Sequence, residues 1–155
     1  MNALSEILKE KILILDGATG TALQKMNLTA ADFGGAAYEG CNEHLVLTKP
    51  EAITAVHESY LAAGADIIET NSFGSTPLVL AEYGLQDKAE TISRVSAELA
   101  RAAVRKHATP ARPRFVAGSV GPTTKSLFVT GGVTFDALVE TFRVQARGLL
   151  AGGVD

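Results

Sequence analysis

Polar residues gather where three apolar runs end. Asp16 directly follows Ile12-Leu13-Ile14-Leu15 and precedes Gly17. Glu69 and Thr70 close the run that starts at Ile67, and Asn71, Ser72, Phe73 and Ser75 follow as a loop of hydrogen-bonding groups around one aromatic ring. Gly121-Pro122-Thr123-Thr124 follows the run from Phe115. A carboxylate placed like Asp16 could receive a ligand ammonium or orient a metal; alternatively it is a turn aspartate bonding its own backbone. The second loop suits a polar small molecule, or else Asn71 and Ser75 cap the helix starting at Thr76 while Phe73 fills core. The stretch Gly17 to Thr21 has the composition of a phosphate cradle, yet it matches neither the dinucleotide fingerprint nor the GK[ST] loop and lacks the lysine. A tight turn with close backbone approach to a ligand is preferred there.

The remaining nucleophiles and ligands are sparse. His57 and His107 lie in helical patterns, where a solvated or partly packed imidazole is the expectation, and His44 has no partner at metal spacing. The single cysteine, Cys41, excludes an internal disulfide framework and cannot alone make a zinc site, which usually takes about three or four protein ligands. Nothing nearby would lower its thiol pKa.

These residues need a scaffold, and the composition supplies one. At 155 residues, 46% hydrophobic and 20% charged, the chain is globular in type and long enough for a core. A formal charge of −3 with scattered basic residues gives no footprint for nucleic acid or an anionic membrane. The longest apolar runs fall far below the roughly 20 residues of a membrane span, and Met1 to Lys11 is charged rather than an apolar leader core, so a cytoplasmic location is expected.

The pattern predicts a short helix from Ser5 to about Glu10, a strand over Ile12–Leu15 buried on both faces, a brief helix from Ala22 to Met26, and an irregular stretch to about Leu47. A helix then starts at Thr48 and Pro50; Ile53, Val56, His57, Tyr60 and Leu61 recur at helical spacing up to Gly64, and its Ile/Val/Tyr face is expected to pack inward. Ile67–Thr70 is the second strand, followed by a short helix from Thr76 to about Tyr83. Asp87 caps the longest helix, with Ile92, Val95, Leu99, Ala102 and Ala103 as its stripe until Thr109-Pro110 stops it. Phe115–Val120 is the third strand, and Thr134 caps a last helix carrying Phe135, Leu138, Phe142, Ala146, Leu149 and Leu150.

Strands separated by helices are the parallel β/α pattern, and polar residues at each strand's C-terminal end favour a (β/α)₈ barrel over a doubly wound sheet. The fold class expected is therefore α/β, the N-terminal portion of a TIM barrel with about three strand-helix units after a short helix. Leu149-Leu150-Ala151-Gly152-Gly153-Val154-Asp155 repeats the pattern of Tyr60-Leu61-Ala62-Ala63-Gly64-Ala65-Asp66, which leads into a strand. Residues 1–155 are thus expected to be an incomplete barrel domain, cut before its fourth strand.

Four strings in order, Ile14 to Thr21, Leu45 to Pro50, Gly64 to Phe73 and Val116 to Thr123, resemble the homocysteine S-methyltransferases, and within them the N-terminal module of cobalamin-dependent methionine synthases. The resemblance runs from Lys11 to Asp155. It implies a zinc-dependent barrel in which homocysteine binds the metal as a thiolate and attacks a methyl group, with a cobalamin or folate-derived methyl donor possible in a longer parent protein. It places Asp16 beside the homocysteine amino group, Gly17 at a neighbouring backbone contact, and Thr70, Asn71, Ser72 and Phe73 along the same pocket. Thr19 stands where methionine is common, and Cys41 departs from asparagine in Gly40-Cys41-Asn42-Glu43. The family's zinc cysteines and the glutamate after its fourth strand have no counterpart here. The implied activity is part of a methionine-forming methyl transfer, inactive in this chain alone. The alternative is a non-catalytic half-barrel that self-associates or pairs with a partner chain.

Overall fold

The computed structural model describes residues 3–129 and 131–155. Helix α1 covers Ala3–Ile7, earlier than the sequence pattern places it, and Ser5 lies inside it rather than capping it. Helix α2, Thr19–Gln24, also starts early, because Ala18 takes a left-handed turn (φ 42°) that ends the loop sooner. The long stretch that follows is irregular only in part, since 3-10 turns and α3, Leu45–Thr48, occupy its end. Helix α4 spans Pro50–Ala63, with proline in its first turn and Gly64 left-handed (φ 114°) at its C-cap, the conformation that glycine adopts without a Cβ penalty.

Strand β1, Ile67–Glu69, pairs in parallel with β2, Phe115–Ala117, in the register Ile67 with Phe115 and Glu69 with Ala117. Both are shorter than the apolar runs imply. Between them come α5, Pro77–Leu80, capped by the Thr76 hydroxyl accepting from Val79 N–H, and α6, Ala89–His107. Asp87 does not cap α6; a 3-10 turn over Gln86–Lys88 leads in and Lys88 takes the N-cap. Helix α7, Phe135–Gly152, begins under the Thr134 hydroxyl, which accepts from Ala137 N–H.

The expected first strand is a correction. Ile14 O accepts from Asp66 N–H and Ile67 N–H (2.7 and 3.0 Å) and Asp16 N–H donates to Ile67 O (3.0 Å), but only Leu15 makes a ladder bridge, with Ile67. Ile12 is 93% exposed and Ile14 62%, so the run is not buried on both faces. It has a partner on one side only among the described residues, and a segment paired along one edge lacks the cover that an inner strand receives.

The repeated helix ending forms the same structure twice. Gly64 N–H reaches Tyr60 O and Leu61 O, as Gly153 N–H reaches Leu149 O and Leu150 O. Asp66 N–H donates to Ile14 O while its Oδ2 accepts from Ile14 N–H (3.2 Å); Asp155 N–H donates to Val116 O and its Oδ2 accepts from Val116 N–H, both at 2.9 Å. Each aspartate thereby doubles as a pairing partner for the neighbouring strand segment.

One core lies beneath the first loop, joining Leu23, Phe33, Leu45, Ile53 and Val56 to Leu80 and Ile92; a second joins Leu61, Ile68, Ala100, Val104 and Val116 between α4, α6 and the sheet. In α4, His57 is fully buried with neither ring nitrogen paired, contrary to the solvated or half-packed expectation, and burial pushes its pKa down to about 4. The stripe of α7 is out of phase with its apolar residues. Thr141, Gln145, Gly148, Leu149 and Gly152 face inward, whereas Phe135 and Leu150 are 67% and 71% exposed. The reason is close helix packing. On α6 the buried positions include Ser93, Ser96, Ala97 and Ala100 while Ala102 is exposed, and a Cβ on Gly148 would stand 2.7 Å from Ser93 Cβ. Small residues on both helices set that approach, and large apolar ones would prevent it.

Candidate functional site

A cleft of about 250 Å³ opens beyond the C-terminal ends of β1 and β2. Thr70, Asn71, Ser72 and Phe73 line it, joined by Thr19, Gly20, Glu69 and Ser119. Asp16 and Gly17 lie outside that lining. Asp16 reaches the cleft wall through its Oδ1, which accepts from Glu69 N–H at 3.0 Å, and a Cβ at Gly17 would meet nothing within 4 Å.

The wall is stitched from three loops. Asn71 Nδ2 donates to Asn42 O (2.8 Å) and Glu43 Oε1 accepts from Gly74 N–H (2.8 Å), tying the loop after β1 to the first loop. Gly121 N–H donates to Phe73 O (2.9 Å), and a Cβ on Gly121 would lie 2.6 Å from the Phe73 ring, so glycine is what lets that ring lie against the third loop. Phe73 remains 57% exposed and therefore is not the core-filling aromatic of the alternative reading.

Proton directions follow from the donors available. Ser119 N–H donates to Thr70 Oγ1 (2.9 Å), and the Ser72 hydroxyl donates to Ser119 O (2.8 Å). Each hydroxyl owns one proton. The 2.6 Å contact between Thr70 Oγ1 and Ser72 Oγ must therefore use the Thr70 proton. The result is a closed ring, Ser119 N–H to Thr70 to Ser72 and back to Ser119 O, in which the Thr70 and Ser72 hydroxyl protons are spent. Ser72 is fully buried, so it works inside this ring, with Thr70 and Ser119 nearer the cleft.

The electrostatics lean the same way. Asp16 Oδ2 is enclosed and has no hydrogen-bond partner. Burial first, and the neighbouring Glu69 charge after it, push the Asp16 carboxyl up to about 6 against the opposing pull of the Glu69 N–H. A positive charge at this end of the sheet would relieve the carboxylate repulsion. The site thus sets an electronegative carboxylate pair behind a lining of hydroxyl and amide side chains.

Metal chemistry finds less support. Among the described residues no three His, Cys, Asp or Glu side chains come together as a metal-binding group. Cys41 is buried and its thiol is pushed up to about 11, chiefly by burial, the reverse of what a metal-binding thiolate needs. His44 spends Nδ1 on Phe33 O at 2.9 Å. These residues do not fit a zinc centre.

Sequence reasoning brought out Thr70 to Phe73 but missed Ser119 and the anchoring by Asn42 and Glu43. Ser119 had a usable signal, since the β1–β2 register sets Ala117 beside Glu69 and so carries Ser119 up beside the Thr70 loop. Asn42 and Glu43 act through a backbone carbonyl and a loop closure that no spacing rule encodes.

Comparison with known proteins now adds identity. The model of the homocysteine S-methyltransferase family matches residues 13–155. The homocysteine methyltransferase MmuM of Escherichia coli, in its metallated form, is 29% identical with a TM-score of 0.78 over 99% of this chain and 55% of that one. Its oxidized form gives 30% and 0.80 over 100% and 55%, and its apo form 28% and 0.70 over 99% and 51%. The chain spans about half the length of these structures. With a match over nearly its whole length, the chain belongs to the homocysteine S-methyltransferase family.

Proposed function

We propose that this chain supplies the amino-acid-binding wall of a homocysteine methyl-transfer site in a (β/α)₈ barrel, without the metal half of the chemistry. The observation that carries the reading is the unpaired Asp16 oxygen beside a ring of spent hydroxyls. An α-ammonium group would meet the lone pairs of Thr70 and Ser72, and Asp16, with Glu69 behind it, would balance its charge. Phe73 offers an exposed ring to the aliphatic stem of the ligand. Thiol activation is not among the tasks the described residues could perform, because their donor set does not fit zinc. Zinc ligands and the methyl donor, cobalamin-borne, folate-derived or other, would come from residues outside this chain.

Calorimetric titration with homocysteine, with and without Zn²⁺, tests this. The expected result is weak binding that zinc leaves unchanged and that an amino acid of the same length lacking the thiol reproduces. Absence of heat with every amino acid, or binding only with zinc, would overturn it.

A specific observation also favours pairing with a second chain. Ile12, Ile14, Phe128, Val129, Phe135 and Leu150 are each more than half exposed, and Phe128 and Val129 share one largely apolar groove with Leu127, Leu138 and Phe142. Sedimentation should accordingly give a self-associated species, and a monomer persisting at high concentration would contradict the pairing.

A further inference from the structure

We propose that Gln145 of α7 is a positioning residue for the cleft, fixing the Ser72 and Ser119 carbonyls and through them the acceptor ring; this rests on the amino-acid-binding reading above. Gln145 is fully buried, and its Nε2 donates to Ser72 O (2.6 Å), lies 3.2 Å from Ser75 Oγ and reaches Ser119 O at 3.5 Å. Ser72 and Ser119 come from different loops, and their backbones close the ring with Thr70. One amide thus holds both sides of the cleft from behind.

The other end of the same amide explains why a glutamine stands there. Gln145 Oε1 is buried without a partner. An enclosed, unpaired carbonyl is a cost that an apolar side chain of equal volume would avoid, so the position is held for its donors. The donors are also placed firmly. Gly148, one turn further along the same face, lets α7 close against α6 at Ser93, and Ser93 Oγ bonds Ser75 Oγ at 2.7 Å and donates to Ala89 O at 2.8 Å. Both long helices therefore converge on the loop that carries Thr70, Asn71, Ser72 and Phe73. A change in how α7 seats would be felt in the cleft, although α7 itself contributes no lining residue.

The test compares Gln145→Met with Val104→Ala on the full chain, reading homocysteine affinity, melting temperature and the ¹³C carbonyl shifts of Ser72 and Ser119. Gln145→Met should move both carbonyl resonances and weaken binding about tenfold, the order of effect expected when a supporting group lets site atoms drift. Val104→Ala, which truncates a buried side chain of the second core, should lower the melting temperature while leaving affinity within about twofold, which separates positioning from general stability. If Gln145→Met does not fold, Gln145→Leu, which also lacks donors, takes its place in the same measurements. Unchanged affinity in the glutamine variant, with the wild type binding, overturns the positioning role and leaves the pocket reading standing. A wild type that binds no amino acid overturns both.

Discussion

Asp16 and Asp66 stand at opposite ends of the same pairing between the Ile14–Asp16 segment and β1, and they do the same backbone work. Asp66 Oδ2 accepts from Ile14 N–H at the N-terminal end, and Asp16 Oδ1 accepts from Glu69 N–H at the C-terminal end. Their surroundings differ. Burial pushes Asp66 up, but Ile14 N–H, Lys11 and Arg114 together hold it below the ordinary carboxylate value. Arg114 meets its Oδ1 at 3.0 Å and also binds Gly64 O and Ala65 O. Asp16 has no cation, a carboxylate neighbour and one orphaned oxygen, and it is pushed up. The N-terminal end of the sheet pairs its buried charges, Asp66 with Arg114, and leaves over only Arg114 Nε, whereas at the C-terminal end the Asp16 carboxylate meets no cation among the described residues, and it is at this end that barrel-type β/α proteins place their ligands.

Breaking the satisfied end should cost most. Asp66→Ala strips a buried Arg114 of its counter-charge, and losses of about 3–5 kcal/mol are typical of such uncompensated ions; urea unfolding should show them. Asp155→Ala removes the corresponding link to Val116 at the other copy of the repeat, but its ion pair with Arg101 (2.8 Å) is a fifth to a quarter exposed. A loss of about 1 kcal/mol is expected there. Equal losses at the two sites would sink the idea that burial and charge pairing, rather than the shared backbone pattern, set the difference.

The smallest effect has the most telling sign. A carboxyl raised to about 6 from an unfolded value of 3.8 favours its protonated form in the fold. Its contribution is complete at low pH and is lost as pH rises through that window. Asp66, held low, works in the opposite direction, adding stability above its unfolded value that disappears as the medium becomes more acid. Asp16→Asn should flatten the decline between about pH 4 and about pH 6 and make the protein slightly more stable above it. A melting profile for Asp16→Asn parallel to that of the wild type would contradict the raised carboxyl.

Where sequence patterns report local geometry, they served well. The Gly-x-Asp endings, the Pro50 helix start and the Thr134 cap appear as read, because each depends on bonds within a few residues or on a backbone angle only glycine takes easily. The family resemblance likewise matched a nearly chain-long comparison. What failed was set by distant partners. Ile12–Leu15 has the composition of an inner strand, but composition does not supply a second neighbour. Helix α7 shows a clear apolar stripe, yet its buried face was chosen by small residues on α6 and by the Ser72 carbonyl, 73 residues earlier in the chain, which takes the Gln145 amide proton. His57 was read from its type rather than its neighbours, and it lies buried without a partner.

The central claim is that the Asp16 end of the sheet binds the ammonium end of an amino acid. It is tested most directly by ¹⁵N–¹H spectra of the chain titrated with homocysteine at about pH 5 and about pH 8, in the wild type and in Asp16→Asn. The account predicts saturable shifts at Thr70, Asn71, Phe73 and Ser119, stronger at the higher pH where Asp16 is ionised, and lost in Asp16→Asn. Undisturbed resonances at those four residues at the higher pH, or equally tight binding by Asp16→Asn, would contradict it.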